Sequence, residues 1–328
     1  MRNFKNVNRK ILVTGGAGFI GSHLVDSLLK EGGNHVTVLD NFNDFYSPAI
    51  KRGNISAHSS NDSFSLIEGD IRDSQKIEEI FTDGNFDIVV HLAALAGVRP
   101  SLENPRGYYS VNVEGTLNLL EAARKAKVPR FVFGSSSSVY GINEKLPFAE
   151  DDSINNTISP YAATKSAGEA LCMTFSHLYE MRTVCLRFFT VYGPRQRPDL
   201  AIHKFAKMIL DGKPIPMFGD GETRRDYTYV DDIIHGVRSA IDYSDSMYEI
   251  FNLGESETVR LSELVELIEA SLGMKATIER YPEQPGDVPV TYADVSKARR
   301  LLGYNPSTKI KEGIPRFIEW FLEERSRG

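Results

Sequence analysis

Tyr161 and Lys165 lie four residues apart in the run Pro160-Tyr161-Ala162-Ala163-Thr164-Lys165, which starts a helix at a proline, so the two side chains share one helical face. A phenol ordinarily ionises near pH ~10. A neighbouring ammonium favours phenolate, and a second positive charge, such as an oxidised nicotinamide ring, favours it further. Such a phenolate takes a proton from a hydroxyl while the carbon bearing it gives up a hydride. The Y-x-x-x-K spacing is a weak signal by itself. Upstream, however, Phe131-Val132-Phe133 reads as a strand that runs into Gly134-Ser135-Ser136-Ser137-Ser138-Val139-Tyr140-Gly141 and sets hydroxyls at its end.

Hydride chemistry needs a dinucleotide, and the N-terminal run Lys10-Ile11-Leu12-Val13-Thr14-Gly15-Gly16-Ala17-Gly18-Phe19-Ile20-Gly21-Ser22-His23-Leu24 has the elements to hold one. Its apolar strand must turn into a helix within a few residues, leaving unpaired N–H groups and the positive dipole end for a pyrophosphate. Gly15 permits the turn, Gly18 lets backbone approach phosphate, and Gly21 lets helix pack on strand. The spacing is G-x-x-G-x-x-G rather than G-x-G-x-x-G, so context must support it. It does: the next apolar run, His35-Val36-Thr37-Val38-Leu39, ends in Asp40, close to the ~20 residues downstream at which a carboxylate accepts from the adenosine ribose. A carboxylate there repels a 2′-phosphate and selects NAD over NADP.

These residues need a frame. Strand-like runs at 11–14, 36–39, 64–68, 88–92, 131–135 and 184–188 alternate with helical stretches, and several are continuously apolar, as strands covered on both faces are. The expected fold is α/β, a doubly wound parallel (Rossmann) sheet that binds ligands at the carboxyl ends of its strands. Past Gly193-Pro194 the alternation weakens and prolines cluster. A second, smaller α/β substrate-binding domain is expected over 191–328, after an NAD-binding domain over 1–190 to which 227–244 returns. Helices are expected near 201–210, 261–272 and 314–324.

The 328 residues, 41% hydrophobic and 25% charged, suit a globular chain with a substantial core. A net charge of −6 excludes the electrostatic footprint of a nucleic-acid binder, so an anionic ligand must meet local arginines. Cys172 and Cys185 sit in apolar surroundings and read as buried thiols, with neither disulfide nor metal-site spacing. With no signal-peptide pattern and no run of the ~18 apolar residues a membrane span needs, the cytoplasm is the expected location.

Together these segments resemble the extended short-chain dehydrogenase/reductases, specifically the nucleotide-sugar epimerases and dehydratases. The resemblance extends over nearly the whole chain through Gly69-Asp70-Ile71, His91-Leu92-Ala93-Ala94, Asn112 in Val111-Asn112-Val113, Arg225-Asp226-Tyr227 and Pro285-Gly286-Asp287-Val288. It implies that Asp70 and Ile71 contact adenine and that Ala93 lies along NAD, beside Phe19, Ile20, Asn41, Leu92 and Ala94. It implies further that Lys165 holds the nicotinamide ribose and that Ser136 is the catalytic hydroxyl beside Tyr161. On the UDP-sugar side it assigns Arg225 to the diphosphate and Asp287 to the uridine ribose, choices that suit a guanidinium and a carboxylate. A homodimer through 107–126 and 161–179 is also implied.

Relatives that eliminate water carry Asp-Glu directly after the catalytic hydroxyl, where this chain has Ser137 and Ser138. Without those acids, elimination lacks its machinery. The decarboxylating relatives usually have Glu at the position of Ser138. What remains is 4-epimerisation of a UDP-sugar through a transient 4-keto intermediate. The loop Asp40-Asn41-Phe42-Asn43-Asp44-Phe45-Tyr46-Ser47-Pro48, with Lys51-Arg52 after it, and the segment Ala96-Gly97-Val98-Arg99 resemble those of UDP-glucuronate 4-epimerases. Arg195 and Arg197 would lie near the sugar's C6 end, and Thr190 replaces the Asn typical of galactose 4-epimerases. The alternatives are a UDP-glucose or UDP-N-acetylglucosamine 4-epimerase and a UDP-glucuronate decarboxylase. A 4-keto uronate readily loses CO₂, so Arg197, Thr190 and Ser137 are expected to pin its carboxylate out of line with the carbonyl π system.

Overall fold

The computed structural model describes residues 8–282 and 288–327. Its centre is a sheet of seven parallel strands: β1 (Arg9–Thr14), β2 (Asn34–Asp40), β3 (Phe64–Glu68), β4 (Ile88–His91), β5 (Arg130–Ser136), β6 (Arg182–Phe188) and β7 (Tyr248–Leu253). Their order across the sheet is β7-β6-β5-β4-β1-β2-β3. Successive side chains on a strand point to opposite faces, so Ile11 and Val13 enter one core and Leu12 the other. Both faces are apolar because helices cover both. One core takes Leu24 and Leu28 of helix α1 (Phe19–Glu31); the other takes Leu119, Leu120 and Cys172.

Chain order reverses between β1 and β4, which pair in parallel at Val13–Val90 and Thr14–His91. The strands' carboxyl ends open a crevice there, where a doubly wound sheet binds its ligand. The six strands expected from the sequence are all present. The seventh was not foreseen: β7, inside the stretch assigned to the second domain, joins the main sheet beside β6. The helix Val230–Ile241 places Val230, Ile233 and Val237 in the core beside α1. A smaller unit gathers the helices Ala201–Leu210, Leu261–Leu272 and Ile310–Arg327 around Phe205, Leu264, Ile268, Ile314 and Phe317. The last begins four residues before the expected 314, with Pro315 inside it. Short strand pairs, such as Ile215–Phe218 with Ile278–Tyr281, complete that unit.

Candidate active site

A cleft of about 340 Å³ runs over the crevice, from the start of α1 to the helix Pro160–Tyr179. Gly15, with φ of +71°, makes the turn after β1, and a Cβ on it would fall 2.7 Å from Ala93 N. Gly21 packs α1 on that turn so closely that a Cβ would lie 2.2 Å from Gly15 O. Among the described residues no side chain caps α1 at Gly18, leaving the first-turn N–H groups facing the cleft beside Gly18, Phe19, Ile20 and Gly21.

Asp40 ends β2 and is buried at the rim. Its Oδ2 accepts from Ala17 N at 3.2 Å and its Oδ1 from Phe42 N at 2.9 Å, while burial raises its pKa above the usual carboxylate range. Asn41 Nδ2 donates to Asp70 Oδ2 at 2.9 Å. Hydrogen bonds from Arg72 above all hold Asp70 down at about 2. Ile71, Leu92, Ala93 and Ala94 continue the wall. The buried Tyr46 hydroxyl borders the same cleft and has no hydrogen-bond partner among the described residues. An uncapped helix end, a rim carboxylate and an orphaned hydroxyl together suit a dinucleotide.

At the other end stand Ser136, Tyr161 and Lys165. Ser159 caps their helix by accepting from Ala162 N at 3.1 Å, and Pro160 follows at its first turn. Lys165 is buried and donates from Nζ to Gly134 O at 2.7 Å. Burial lowers its pKa to about 8. Tyr161 moves contrary to expectation: burial raises its phenol pKa, and the Ser136 hydrogen bond and Arg197 oppose that only in part. Within the protein alone the dominant force on this phenol is desolvation.

Thr190, at the start of the strand Thr190–Tyr192, and Arg197 line the cleft near Tyr161. Arg197 grips Asp199 through Nε to Oδ1 at 3.0 Å and Nη2 to Oδ2 at 2.7 Å, with its Cζ 5.1 Å from the Phe45 ring centroid. The other expected residues are placed differently. Arg195 turns back through a positive φ of 60° and pairs with Asp26 of α1 at 2.7 Å, outside the residues that line the cleft. Ser137 and Ser138 lie outside the cleft lining, because β5 stops at Ser136 and the chain turns off in the short helix Ser137–Tyr140. Arg99 is exposed, 4.6 Å over Phe218 of the smaller unit, and Arg225 donates to Arg224 O at 2.9 Å beyond the cleft. Asp287 lies outside the described residues.

Three residues that carry the resemblance, with no role assigned to them from the sequence, support the cleft. His91 bridges Thr14 Oγ1 (2.7 Å) and Thr116 Oγ1 (2.9 Å), with burial driving its pKa to about 3, so it stays neutral. Lys51 is buried and bonds Asn43 O at 2.7 Å, shaping the loop that carries Tyr46. Asn112 ties Leu95 to Thr164. A polar residue inside an otherwise apolar stretch was the available signal for the role of His91; for Lys51 the resemblance of its loop gave the position but not the bond.

The family described as GDP-mannose 4,6 dehydratase matches residues 12–317. UDP-glucuronate 4-epimerase 1 of Arabidopsis thaliana is 44% identical over 95% of this chain and 76% of its own. Among solved structures, the UDP-glucuronic acid 4-epimerase of Bacillus cereus, in complex with UDP-glucuronic acid and NAD, superposes with a TM-score of 0.91 at 38% identity, covering 96% of this chain and 99% of that one. A UDP-glucose 4-epimerase of Thermotoga maritima, bound to UDP-glucose, reaches 0.88 at 34% identity, with coverage of 96% and 99%.

Proposed function

The chain belongs to the extended short-chain dehydrogenase/reductases, in the family described as GDP-mannose 4,6 dehydratase, and we propose that it is an NAD-dependent UDP-glucuronate 4-epimerase. The observation that carries this reading is the meeting of Ser136, Tyr161 and Lys165 with Thr190 and Arg197 in one cleft, continuous with the uncapped end of α1. The first-turn N–H groups of α1 would hold the pyrophosphate of NAD, and Asp40 its adenosine ribose. Bound NAD supplies a hydride acceptor that also returns the hydride.

Tyr161 takes the proton of the sugar's C4 hydroxyl and returns it after the sugar has presented its other face. Ser136 bonds both the phenol and the reacting oxygen, fixing the path of that proton. Lys165, as an ammonium, offsets negative charge developing on the phenol. Arg197 and Thr190 meet the C6 carboxylate, Arg197 with donors that Asp199 leaves unused. Ser137 and Ser138 supply no acid or base for elimination, which favours a reaction that returns its hydride.

The protein is proposed to act as a cytoplasmic homodimer. Exposed Tyr109, Leu117, Met173 and Leu178 on or beside the helices Gly115–Lys125 and Pro160–Tyr179 give a partner copy apolar surface, and two free thiols suit a reducing compartment. Among the described residues no helix is long and apolar enough to cross a membrane.

The deciding experiment incubates purified protein with UDP-glucuronate, UDP-glucose and UDP-N-acetylglucosamine separately and resolves sugar products and CO₂. UDP-galacturonate from the uronate is the expected product. Conversion of the neutral sugars alone would assign the chain to the alternative epimerases, and CO₂ with a pentose as sole products to the decarboxylases.

A further inference from the structure

Arg187 on β6 and Glu169 on the helix Pro160–Tyr179 are both fully buried, and the proton path above uses neither. The guanidinium holds the carboxylate through Nε to Oε1 at 3.0 Å and Nη2 to Oε2 at 2.8 Å. Ser135 Oγ donates to the same Oε1 at 2.5 Å. Arg187 also lies 4.7 Å over the Tyr140 ring, whose hydroxyl donates to Asn252 Oδ1 of β7 at 2.7 Å. One ion pair thus joins β5, β6, β7 and the helix that carries Tyr161 and Lys165.

A buried ion pair is weak evidence for stability, because desolvating two charges offsets most of their attraction. A bidentate fork does fix an angle and a distance. Its location gives that constraint a use. Glu169 lies one helical turn beyond Lys165, and Ser135 stands between Gly134, whose carbonyl accepts from Lys165, and Ser136, whose hydroxyl shares the cleft with Tyr161 and donates to Ser138 Oγ at 3.2 Å.

We propose that Glu169, clamped by Arg187, is a positioning residue for the proton-transfer set: through Ser135 it holds the end of β5 so that the Gly134 carbonyl and the Ser136 hydroxyl meet Lys165 and Tyr161 in register. Charge adds a second effect. Burial pushes Lys165 down, and the Glu169 carboxylate pulls it back up. The other titratable or charged neighbours are Tyr161 on its own helix, His91 on β4 and Arg187 on β6, which grips Glu169. Glu169 is the carboxylate among them, so its loss favours the neutral amine.

Two variants of the full enzyme test this through kcat, KM and thermal midpoint between pH 6 and 10. Ser135→Ala leaves the ion pair intact; it is expected to fold normally and lose tenfold or more in kcat, with KM for UDP-sugar and NAD within twofold of the parent. Glu169→Gln keeps an oxygen acceptor for Ser135 and removes the negative charge alone; its kcat is expected to fall at a lower pH on the alkaline side, a shift that Ser135→Ala does not show. A Ser135→Ala enzyme within twofold of the parent kcat, or a folded Glu169→Gln enzyme with an unmoved alkaline limb, overturns the proposal. Should Glu169→Gln not fold with Arg187 left unpaired, Ser135→Ala decides alone. The proposal rests on the epimerase reading for its substrate only: if the parent does not convert UDP-glucuronate, that reading falls, and the variants are compared on the UDP-sugar that the parent does convert.

Discussion

Two side chains in the cleft carry opposite burdens. Arg197 is held in place by Asp199, Phe45 and the Ala96 carbonyl, so truncating it removes a charge already set in the cleft. A hydrogen bond to a charged group contributes about 1.5–3 kcal/mol. Arg197→Ala should therefore raise KM for UDP-glucuronate roughly tenfold to a hundredfold, and products resolved by NMR should include a pentose as the keto acid loses its restraint. Loss of turnover with an unchanged epimer-to-pentose partition would leave carboxylate binding but remove the gating role. Lys165 is disfavoured as a cation by its burial: it titrates at about 8 in the fold, against ~10.4 in an unfolded chain. Between those values the unfolded state holds the proton and the folded state does not, so unfolding free energy rises with pH. Relative to Lys165→Met, the parent should gain stability from pH 8 to 10.5, by up to about 3 kcal/mol, in denaturant titrations at each pH. A difference that stays flat over that window would mean the ammonium is better solvated than its burial implies.

At the scale of elements, the turn from β1 into α1 depends on backbone approach rather than on side chains. A methyl at position 21 would stand 2.2 Å from Gly15 O, closer than atoms sit without displacing the helix. Overpacking of this kind costs about 1–3 kcal/mol. Gly21→Ala should lower the thermal midpoint and weaken NAD binding, read by calorimetry, because the displaced N–H groups are those facing the cleft. This element was legible in the chain because glycine spacing reports a local constraint. The short helix Ser137–Tyr140 was not: four consecutive serines carry no signal for where the strand stops and the chain turns off. Arg195 is a similar case, since its positive φ and its pairing with Asp26, 169 residues earlier, are set by tertiary contact.

Over the whole molecule, β7 decides how the cleft is braced. It crosses back from the smaller unit's part of the chain to close the sheet, burying Phe251 completely and bringing Asn252 to Tyr140. Phe251→Ala should cost about 3–5 kcal/mol in chemical denaturation. Activity measured far below the midpoint should also suffer, because β7 reaches the Glu169–Arg187 pair through Tyr140. By itself the sequence determined the parallel sheet, the Gly15–Gly21 turn, the Asp40 rim and the Tyr161–Lys165 spacing, all of which follow from periodicities and turn geometries spanning a few residues. Only the tertiary structure decided that β7 joins the main sheet, that Arg197 faces the cleft while Arg195 does not, and that burial raises the Tyr161 phenol. Those outcomes depend on which distant groups pack together and exclude water, and no local spacing encodes that.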